Sequence, residues 1–503
     1  MLTDGAEIAL IDVRELGQHA DGHPFLASNL PFSRLEIRAP ALLPRKAVRI
    51  VLLDAGDGVA ARAADRLAAM GYTDLTVMEG GAPGWRAAGY ELFDGVNLPS
   101  KTFGELAELH FGTPHISARD FAPMLARLGQ DVVLVDGRTP REHRRMNIPG
   151  SMSCPNAELA LRIGAIATRP DQTIVVHCAG RTRSIIGAQS LIALGLPNRV
   201  LALENGTQGW ELAGLSVQRG SDNMYPAEIP PAVAAEAKAR ARALAARHDL
   251  PRLAAGALAA RMADQGRTTY LFDVRTEEEY AAGHRPGAVH APGGQLVQAT
   301  DEWIAVRGAR VVVCDDGDAT RATLVVYWLR QMGHDAVILD EEPGALTQAG
   351  LPAPSIPYPP APVISAAQAL DGRPLLDLRS ALNYRKGHVE GAQWASRPRL
   401  PDLAGRQAAL IADDPLVAAL VARDLPGAAM VEGGQPALAA AGARIVATPG
   451  DPPDAQMIDY VFHTHDRHVG NLAAAQAYID WELGLIARLD ADERAVFTLY
   501  PPG

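Results

Sequence analysis

Residues 174–184 read Ile-Val-Val-His-Cys-Ala-Gly-Arg-Thr-Arg-Ser, and this stretch decides how the rest of the chain is interpreted. Three β-branched residues predict the end of a buried strand, and Cys178 then opens a short loop that contains glycine and arginine. The next residues place an apolar face on a predicted helix: Ile185, Ile186, Leu191 and Ile192. A cysteine between the end of a strand and the start of a helix lies where open α/β sheets bind ligands.

The sequence around Cys178 favours a reactive thiolate. The free amides and positive dipole end of the predicted helix attract an anion, and Arg181 and Arg183 add positive charge close by. The alternative interpretation is a small residue of the hydrophobic core, which does not explain the two arginines. We therefore interpret Cys178 as a nucleophile.

The composition is that of a globular protein with several domains. A chain of 503 residues is too long for one core, and its length predicts roughly three to five domains. Of the residues, 48% are hydrophobic and 21% are charged, as in ordinary soluble proteins. The net charge of −11 is spread along the chain without a basic block, so neither nucleic acid nor an anionic membrane is expected as a partner.

Three features indicate a cytoplasmic protein. The 3 cysteines are too few for a disulfide framework in so long a chain. Residues 1–7 contain no basic segment followed by an apolar core, so no secretory signal is expected. No apolar run is long enough to cross a bilayer.

A pattern recurs four times along the chain. A short apolar strand ends in Asp-x-Arg at residues 10–14, 134–138, 271–275 and 375–379, and a turn containing Gly-His or Pro-Gly follows. A second apolar strand leads into a helical pattern at residues 50–53, 174–177, 311–314 and 409–412. A closing turn comes at residues 79–81, 204–206 and 432–434, and is degenerate at 340–343. An Asp and an Arg two residues apart, such as Asp136 and Arg138, can tie neighbouring loops together, so we assign them a structural role.

Strands that alternate with helical patterns predict an α/β protein with mainly parallel sheets. We expect four repeats at residues 1–97, 115–220, 232–353 and 362–450, followed by a C-terminal loop and helix at 451–503. Each repeat is long enough to bury its own core. Joins rich in Pro and Gly are predicted at 97–114, 222–231 and 352–362, and a bridging helix at 232–247.

These motifs resemble the rhodanese family of sulfurtransferases in a tandem arrangement of four domains. The resemblance covers residues 7–447 and rests on the Asp-x-Arg strand, the glycine turn, the cysteine loop and the closing Gly-Gly-x-x-x-Trp, which appears at residues 80–85 and, with Asn205 for the first glycine, at 205–210. It implies thiosulfate or a related anion as the sulfur donor and a persulfide on the cysteine. Neither a metal nor an organic cofactor is implied.

The resemblance also assigns roles within the loop. Cys178 would attack the outer sulfur of thiosulfate, and cyanide, glutathione or a protein thiol would then accept that sulfur. The residues expected to hold the anion are Ala179, Gly180, Arg181, Thr182, Arg183 and Ser184. We expect Arg183 to order the loop or meet the anion, and Arg181 to reach the sulfonate unless it is simply a solvated surface residue. His177 is expected to be structural.

The other repeats depart from this pattern. Alignment on the loop places Asp54, Asp315 and Asp413 at the position of Cys178 and aligns Cys314 with His177. A carboxylate cannot accept sulfane sulfur, and its charge repels an anionic donor. The sequence therefore predicts one working site, in the second repeat.

Two other functions remain open at this stage. Cysteine-dependent phosphatases also place His-Cys before a loop that ends in arginine, but their signature has one residue more than the four between Cys178 and Arg183. A scaffold or sulfur-relay protein is the second alternative, because degenerate repeats outnumber the intact one. The choice between thiosulfate and 3-mercaptopyruvate, and the oligomeric state, cannot be inferred from the sequence.

Two remaining features are assigned structural roles. Cys154 is expected to be a buried small residue rather than a thiol that forms a disulfide with Cys178. The segment His463-Thr464-His465-Asp466-Arg467-His468 lacks zinc-ligand spacing, so we expect a loop that caps a helix on the second or fourth repeat; against Cys178 its histidines could help bind the donor. The predicted helix face comprises Leu472, Ala475, Tyr478, Ile479 and Leu483.

Overall fold

The computed structural model describes residues 4–342 and 344–502. Met1–Thr3 of the N-terminal stretch, Pro343 of the degenerate closing turn and Gly503 lie outside the described residues. The chain divides into two compact units, each built from two repeats. Unit I comprises residues 1–8, 97–351 and 464–503, and unit II comprises residues 9–96 and 352–463.

The first two repeats supply ten helices and nine strands among the described residues, apart from two short 3₁₀ turns at Phe32–Arg34 and Gly129–Asp131. The first repeat contains β1 (Ile8–Asp12), α1 (Leu16–Ala20), β2 (Ser28–Asn29), α2 (Leu35–Leu42), β3 (Ile50–Leu53), α3 (Val59–Ala69), β4 (Leu75–Val77) and α4 (Gly81–Ala87). The second contains α5 (Leu98–Phe111), β5 (His115–Ile116), α6 (Ala118–Leu128), β6 (Val132–Asp136), α7 (Pro140–Arg145), β7 (Met152–Ser153), α8 (Asn156–Ile166), β8 (Thr173–His177), α9 (Thr182–Ala193), β9 (Arg199–Leu203) and α10 (Gly206–Leu212).

The third repeat begins with the bridging helix and alternates strands and helices to Asp340. It contains α11 (Pro231–Arg247), β10 (Arg252–Ala254), α12 (Ala255–Ala263), β11 (Thr269–Asp273), α13 (Glu277–Ala282), β12 (Val289–His290), α14 (Gly293–Gln298), α15 (Thr300–Trp303), β13 (Val306–Arg307), β14 (Arg310–Cys314), α16 (Thr320–Gln331) and β15 (Asp335–Asp340). The predicted helix at 232–247 is therefore confirmed, and its buried residues Ala237, Ala241 and Leu244 lie on one face.

The fourth repeat is followed by the C-terminal helices. It contains β16 (Val363–Ile364), α17 (Ala366–Leu370), β17 (Leu375–Asp377), α18 (Ala381–Lys386), β18 (His388–Val389), β19 (Gln393–Trp394), β20 (Ala409–Ile411), α19 (Pro415–Asp424), β21 (Ala429–Val431), α20 (Gly434–Ala440) and β22 (Ile445–Val446). A 3₁₀ turn at Asp454–Gln456, α21 (Leu472–Arg488) and α22 (Ala491–Arg494) complete the chain.

Parallel sheets of equivalent strand order confirm the predicted α/β class. The order is β5-β9-β8-β6-β7 in the second repeat, β10-β15-β14-β11-β12 in the third and β16-β21-β20-β17-β19 in the fourth. In the first repeat β2, β1, β3 and β4 pair in that order, also in parallel. The strand before each nucleophile position is therefore internal, and its C-terminal end meets that of the Asp-x-Arg strand.

The sheet of the second repeat is buried on both faces. Ile174 and Val176 of β8 pack into one apolar cluster with Leu191, and Val175 between them packs into the other with Phe121. This alternation explains why the strand reads as an uninterrupted apolar run. It also fixes the end of β8, from which the cysteine loop starts.

Two sequence predictions about helices were wrong. The predicted join at 97–114 is largely the helix α5, whose first turn contains Pro99 and whose end is followed by Gly112 at φ 60°. The predicted face of α21 was shifted, because Leu472 and Leu483 are exposed by 46% and 50% while Glu482 and Leu485 are buried. Packing in the folded chain decides which side chains of a helix are covered: it displaces the buried face of α21 and buries residues 100–107 of α5 as an unbroken run.

Among the described residues, we find no helix that combines the length and hydropathy required to span a bilayer.

Candidate active site

Cys178 lies immediately after the C-terminal end of β8. Asp136, at the end of β6, pairs in register with His177, and the Gly137 amide donates to the His177 carbonyl at 2.9 Å. The Cys178 side chain is 3% exposed, and its thiol donates to Ser184 Oγ at 3.7 Å. Ser184 Oγ in turn donates to the Arg181 carbonyl at 2.7 Å. The thiol is thus covered but has polar neighbours.

The backbone of the cysteine loop presents unpaired amides. Within the described residues, the amides of residues 179–183 donate no hydrogen bond, whereas those of Ser184 and Ile185 donate to the Arg181 carbonyl at 3.0 and 3.2 Å. Consecutive free amides at the start of α9 form a cradle suited to an anion.

The closing turn packs directly against the loop. The Thr207 amide donates to the Cys178 carbonyl at 2.9 Å, and the Gln208 amide donates to the Ala179 carbonyl at 3.0 Å. Gly206 has φ +51°, and a Cβ there would lie 2.2 Å from the Cys178 carbonyl oxygen. Only glycine fits this position, so the turn holds the carbonyl side of the loop in place.

Asp136 and Arg138 form a clamp beneath the loop. Arg138 Nε donates to Asp136 Oδ1 at 2.9 Å, and its Nη2 donates to Asp136 Oδ2 at 2.7 Å and to the Met146 carbonyl at 2.5 Å. The other repeats form the same pair, each arginine also donating to a carbonyl eight residues further on: Asp12 and Arg14, Asp273 and Arg275, Asp377 and Arg379.

The imidazole of His177 is fully buried beside this clamp. Its Nε2 lies 3.9 Å from Asp136 Oδ2, and its Nδ1 lies 3.3 Å from the Cys178 carbonyl oxygen. Burial lowers the pKa of His177 to about 4, so the ring is neutral at neutral pH.

Arg183 is held by a carboxylate of α7. Its Nη1 and Nη2 donate to Glu142 at 2.9 and 2.8 Å. Burial opposes ionisation of Glu142, but the adjacent Arg183 guanidinium outweighs it and lowers the pKa of this carboxyl to about 2. Glu142 also forms the capping box of α7 with Thr139, so Arg183 ties the cysteine loop to the start of α7.

The position of Arg181 differs from the expectation that it reaches the donor. Its Nε and Nη2 donate to Glu105 at 2.8 and 2.9 Å, and Nη2 also pairs with Glu108. Both carboxylates lie on α5, the helix that was predicted to be a join. Burial raises the pKa of Glu105 to about 7 despite its hydrogen bonds with Arg181.

The C-terminal helix covers the other side of the loop. Thr182 Oγ1 donates to Glu482 Oε1 at 2.6 Å, while Glu482 Oε2 is buried and has no hydrogen-bond partner within the described residues. The Tyr478 ring lies so close to Gly180 that a Cβ at Gly180 would approach it to 2.9 Å. Lys101 of α5 donates to the Tyr478 hydroxyl and links the two helices.

Sequence reasoning missed the residues of α5 and α21 that contact the cysteine loop or each other. Four of them were not selected: Lys101, Glu105, Glu108 and Glu482. Tyr478 was selected only as a residue of the apolar helix face. A signal existed for α5, because proline in the first turn and glycine after the end are typical helix boundaries.

In the equivalent loops of the first and third repeats, the aspartate at the position of Cys178 accepts hydrogen bonds from backbone amides close to it in the chain. Asp54 Oδ1 accepts from the Gly56 amide at 2.8 Å, and its Oδ2 accepts from the Ala60 amide at 2.9 Å. Asp315 Oδ2 accepts from the amides of Arg321 and Ala322 at 2.8 and 3.1 Å. Both carboxylates therefore accept from the amide six residues further on, at the start of the following helix.

The register corrects the fourth repeat. Asp377 pairs with Ile411, as Asp136 pairs with His177, so Ala412 follows the strand at the position of Cys178. Asp413, which was predicted there, lies one residue further on, because β20 ends at Ile411. The register confirms that Cys314 aligns with His177.

The two remaining cysteines are buried in hydrophobic clusters. Cys154 packs with residues of the second repeat's sheet, and Cys314 packs with Val312 and Leu271. Burial raises the pKa of both thiols well above the ordinary value. Their chemistry is that of small apolar residues.

The histidine segment forms no metal cluster. Within the described ranges, no group of three or more His, Cys, Asp or Glu side chains is arranged to hold a metal ion. His463 belongs to unit II and lies 3.2 Å from Asp94, and His465 lies 3.2 Å from Asp466. His468 belongs to unit I, and its carbonyl accepts from Arg219 at 3.0 Å.

The fold and the site together define a class: repeated parallel α/β domains in which one loop carries a cysteine at the end of an internal strand. A family model described as rhodanese-like domain matches residues 1–88, 119–213 and 254–341, which make up more than half of the chain. The chain belongs to the rhodanese-like domain family.

Individual proteins similar to this chain include two thiosulfate sulfurtransferases. The crystal structure of a thiosulfate sulfurtransferase from Pseudomonas aeruginosa superposes with a TM-score of 0.91 at 39% identity and covers 99% of this chain and 97% of that chain. A thiosulfate sulfurtransferase of Azotobacter vinelandii is 26% identical over 231 residues, or 38% of this chain and 83% of its own. An HTH-type transcriptional regulator of Mycobacterium tuberculosis is 32% identical over 110 residues, and the chain spans 48% of that relative.

Proposed function

We propose that this protein is a thiosulfate sulfurtransferase with a single site at Cys178. The observation that carries the proposal is the cysteine placed at the start of a loop whose amides at 179–183 have no other partner among the described residues. Negative charge on a sulfur bound to Cys178 would be stabilised by these amides. The likeness to the Pseudomonas aeruginosa thiosulfate sulfurtransferase supports the choice of donor.

The proposed reaction has two steps. The Cys178 thiolate attacks the outer sulfur of thiosulfate; a sulfur–sulfur bond forms to the enzyme, and the sulfur–sulfur bond of the donor breaks as sulfite leaves with the electron pair. An acceptor nucleophile such as cyanide or a thiolate then attacks the terminal sulfur. Thiocyanate or a new persulfide leaves, and the Cys178 thiolate is restored.

The loop favours sulfur transfer over phosphate chemistry. Arg183 donates through Nη1 and Nη2 to Glu142, so its guanidinium charge already has a carboxylate partner. Arg181 is likewise held by Glu105 and Glu108. The amides of residues 179–183 have no partner among the described residues, and the loop with four residues between Cys178 and Arg183 suits one sulfur atom better than a phosphate with three oxygens.

The first prediction tests the nucleophile. Cys178→Ser should lower the rate of thiocyanate formation from thiosulfate and cyanide by about 10⁴-fold or more, because a hydroxyl cannot form the persulfide. The matched control Cys314→Ala removes a thiol that is also buried and should retain transfer. A serine variant that still turns over thiosulfate would contradict the proposal. Neither Cys178→Ser nor Cys314→Ala should hydrolyse p-nitrophenyl phosphate.

A further inference from the structure

Two helices contact the middle of the cysteine loop, and both belong to unit I together with the second repeat. A Cβ at Gly180 would lie 2.9 Å from Cε1 of Tyr478 and 3.0 Å from Oε2 of Glu482, both on α21. A Cβ at Gly104 of α5 would lie 2.8 Å from Cγ2 of Thr182. These distances leave no space between the two helices and the middle of the loop.

A buried hydrogen bond links the loop to α21. Thr182 Oγ1 donates to Glu482 Oε1 at 2.6 Å, and the Glu482 side chain is 1% exposed. The second carboxylate oxygen, Oε2, has no hydrogen-bond partner within the described residues. A buried carboxylate with one unpaired oxygen costs stability, so a contribution to folding does not account for Glu482.

This hydrogen bond acts on the part of the loop that presents free amides. Thr182 lies within the run 179–183, whose amides donate to no group in the described part of the chain. N–H dipoles that converge on an empty cradle repel one another, so other contacts have to hold them in place before an anion arrives. The Thr182 side chain supplies one such contact, because its hydroxyl is bound to α21 while its amide stays free.

We propose that Glu482 is a positioning residue for the sulfur transfer: through Thr182 it holds the loop amides in the convergent arrangement that binds the anionic donor. This inference rests on the proposed function and deepens it, because it adds a residue of the C-terminal helix, outside the repeats, to the groups on which donor binding depends. The charge of Glu482 has the opposite effect, since a carboxylate beside the loop repels an anion. Substitutions can separate the hydrogen bond from the charge.

The test compares two substitutions of Glu482 in the full-length enzyme. Glu482→Met removes both the charge and the acceptor, and it should lower kcat/KM for thiosulfate by about tenfold, through KM rather than kcat. Glu482→Gln also removes the charge but keeps an oxygen that accepts from Thr182 Oγ1. Its kcat/KM for thiosulfate should therefore be restored to the parent value or exceed it.

Two further variants separate positioning from stability. In the double variant Thr182→Val with Glu482→Met, both partners are apolar and no polar group is left unpaired, so the melting temperature should equal or exceed that of the parent while kcat/KM stays low. The matched control is Ser190→Ala on the same helix, α9. Its buried hydroxyl accepts from Trp328 Nε1 at 2.8 Å, away from the loop, so the variant should melt earlier and keep kcat/KM within about twofold.

A second measurement does not involve thiosulfate. Iodoacetate is an anion and iodoacetamide is neutral, so the ratio of the rates at which they alkylate Cys178 reports how well the loop attracts an anion. Glu482→Met should lower this ratio, and Glu482→Gln should not. A parent enzyme that is inactive on thiosulfate would contradict the proposed function, whereas the alkylation ratio would still test the role of Glu482.

Three results would overturn the positioning role. Glu482→Met could leave both kcat/KM for thiosulfate and the alkylation ratio unchanged. Both quantities could rise in Glu482→Met as well as in Glu482→Gln, which would mean that only the charge matters. Finally, the double variant could regain the parent kcat/KM together with its stability, which would mean that the single substitution acted by destabilising the fold.

Discussion

At the scale of single residues, the loops differ in what satisfies their amides. In the first and third repeats an aspartate side chain accepts those hydrogen bonds itself, as Asp54 does from Gly56 and Ala60. In the second repeat the side chain is a thiol, and residues 179–183 keep their amides free for an anion from outside. The aspartate of the first repeat thus occupies the Gly56 amide, which stands at the position of the free Gly180 amide in the second repeat.

The closing glycine gives a prediction at this scale. Gly206→Ala should destabilise the protein by about 2 kcal/mol or more and lower sulfur transfer, because the new Cβ combines a positive φ with a contact of 2.2 Å to the Cys178 carbonyl oxygen. Thermal unfolding and the thiosulfate–cyanide assay measure the two effects.

The control for this substitution is Gly195→Ala. Gly195 has φ +73°, but a Cβ there would meet nothing within 4 Å, so only the backbone strain is introduced. Its cost should be about 1 kcal/mol, with transfer retained. If the two variants behaved alike, the packing of Gly206 against the carbonyl of Cys178 would have no part in holding the loop.

The sequence predicts local features of the site and misses its distant partners. Cys178, the strand before it and its alignment with Asp54 and Asp315 follow from a pattern confined to a few residues. The partner of Arg181 lies 76 residues away in the chain, at Glu105, and no local pattern indicates that pairing. Ala412 was missed for another reason: a short strand tolerates a shift of one residue in an alignment.

At the scale of elements, α5 shows why a join was predicted where a helix exists. Its sequence contains Pro99, Gly104 and Gly112, which favour loops when read without context. Burial of the unbroken run of residues 100–107, including Phe103 and Leu106, stabilises the helix in the folded protein. The same packing brings Glu105 into contact with the loop.

This arrangement predicts a pH dependence of stability. The folded chain holds the Glu105 proton more tightly than the unfolded chain, with a pKa of about 7 against an ordinary 4.5. The contribution of Glu105 to stability is therefore fully present below pH 4.5 and is lost as pH rises to about 7. Glu105→Gln should remove this loss, so its free energy of unfolding relative to that of the parent should rise between pH 5 and pH 8, by an amount on the order of 2 kcal/mol, as measured by denaturant unfolding at each pH.

Glu142→Gln is the control with the opposite sign. The pKa of Glu142 is lowered to about 2, so its stabilising effect is constant between pH 5 and pH 8 and is lost only as pH falls from 4.5 towards 2. The difference between this variant and the parent should therefore not change across that range. A Glu105→Gln difference that is equally constant would show that Glu105 ionises normally in the folded protein.

At the scale of the whole molecule, the repeats share structural features but not the cysteine of the candidate site. The strand order, the Asp–Arg clamp and the turn geometry recur, whereas a cysteine follows the internal strand only in the second of the described sheets. The first and fourth repeats share unit II, and the second and third share unit I. Pairing within a unit could not be predicted, because each repeat read alone is long enough to fold as its own domain.

The number of sulfur atoms that thiosulfate adds to the chain tests the prediction of a single working site. After treatment with thiosulfate and removal of the donor, intact-mass measurement should find one added sulfur per chain, since Cys154 and Cys314 are fully buried and apolar in their surroundings. Cyanide should remove that sulfur, and Cys178→Ser should never acquire it. A double variant, Cys154→Ala with Cys314→Ala, should still take up one. Two added sulfurs in the parent, or one that persists in Cys178→Ser, would mean that another repeat carries a working acceptor and that the aspartate loops are not the reason for a single site.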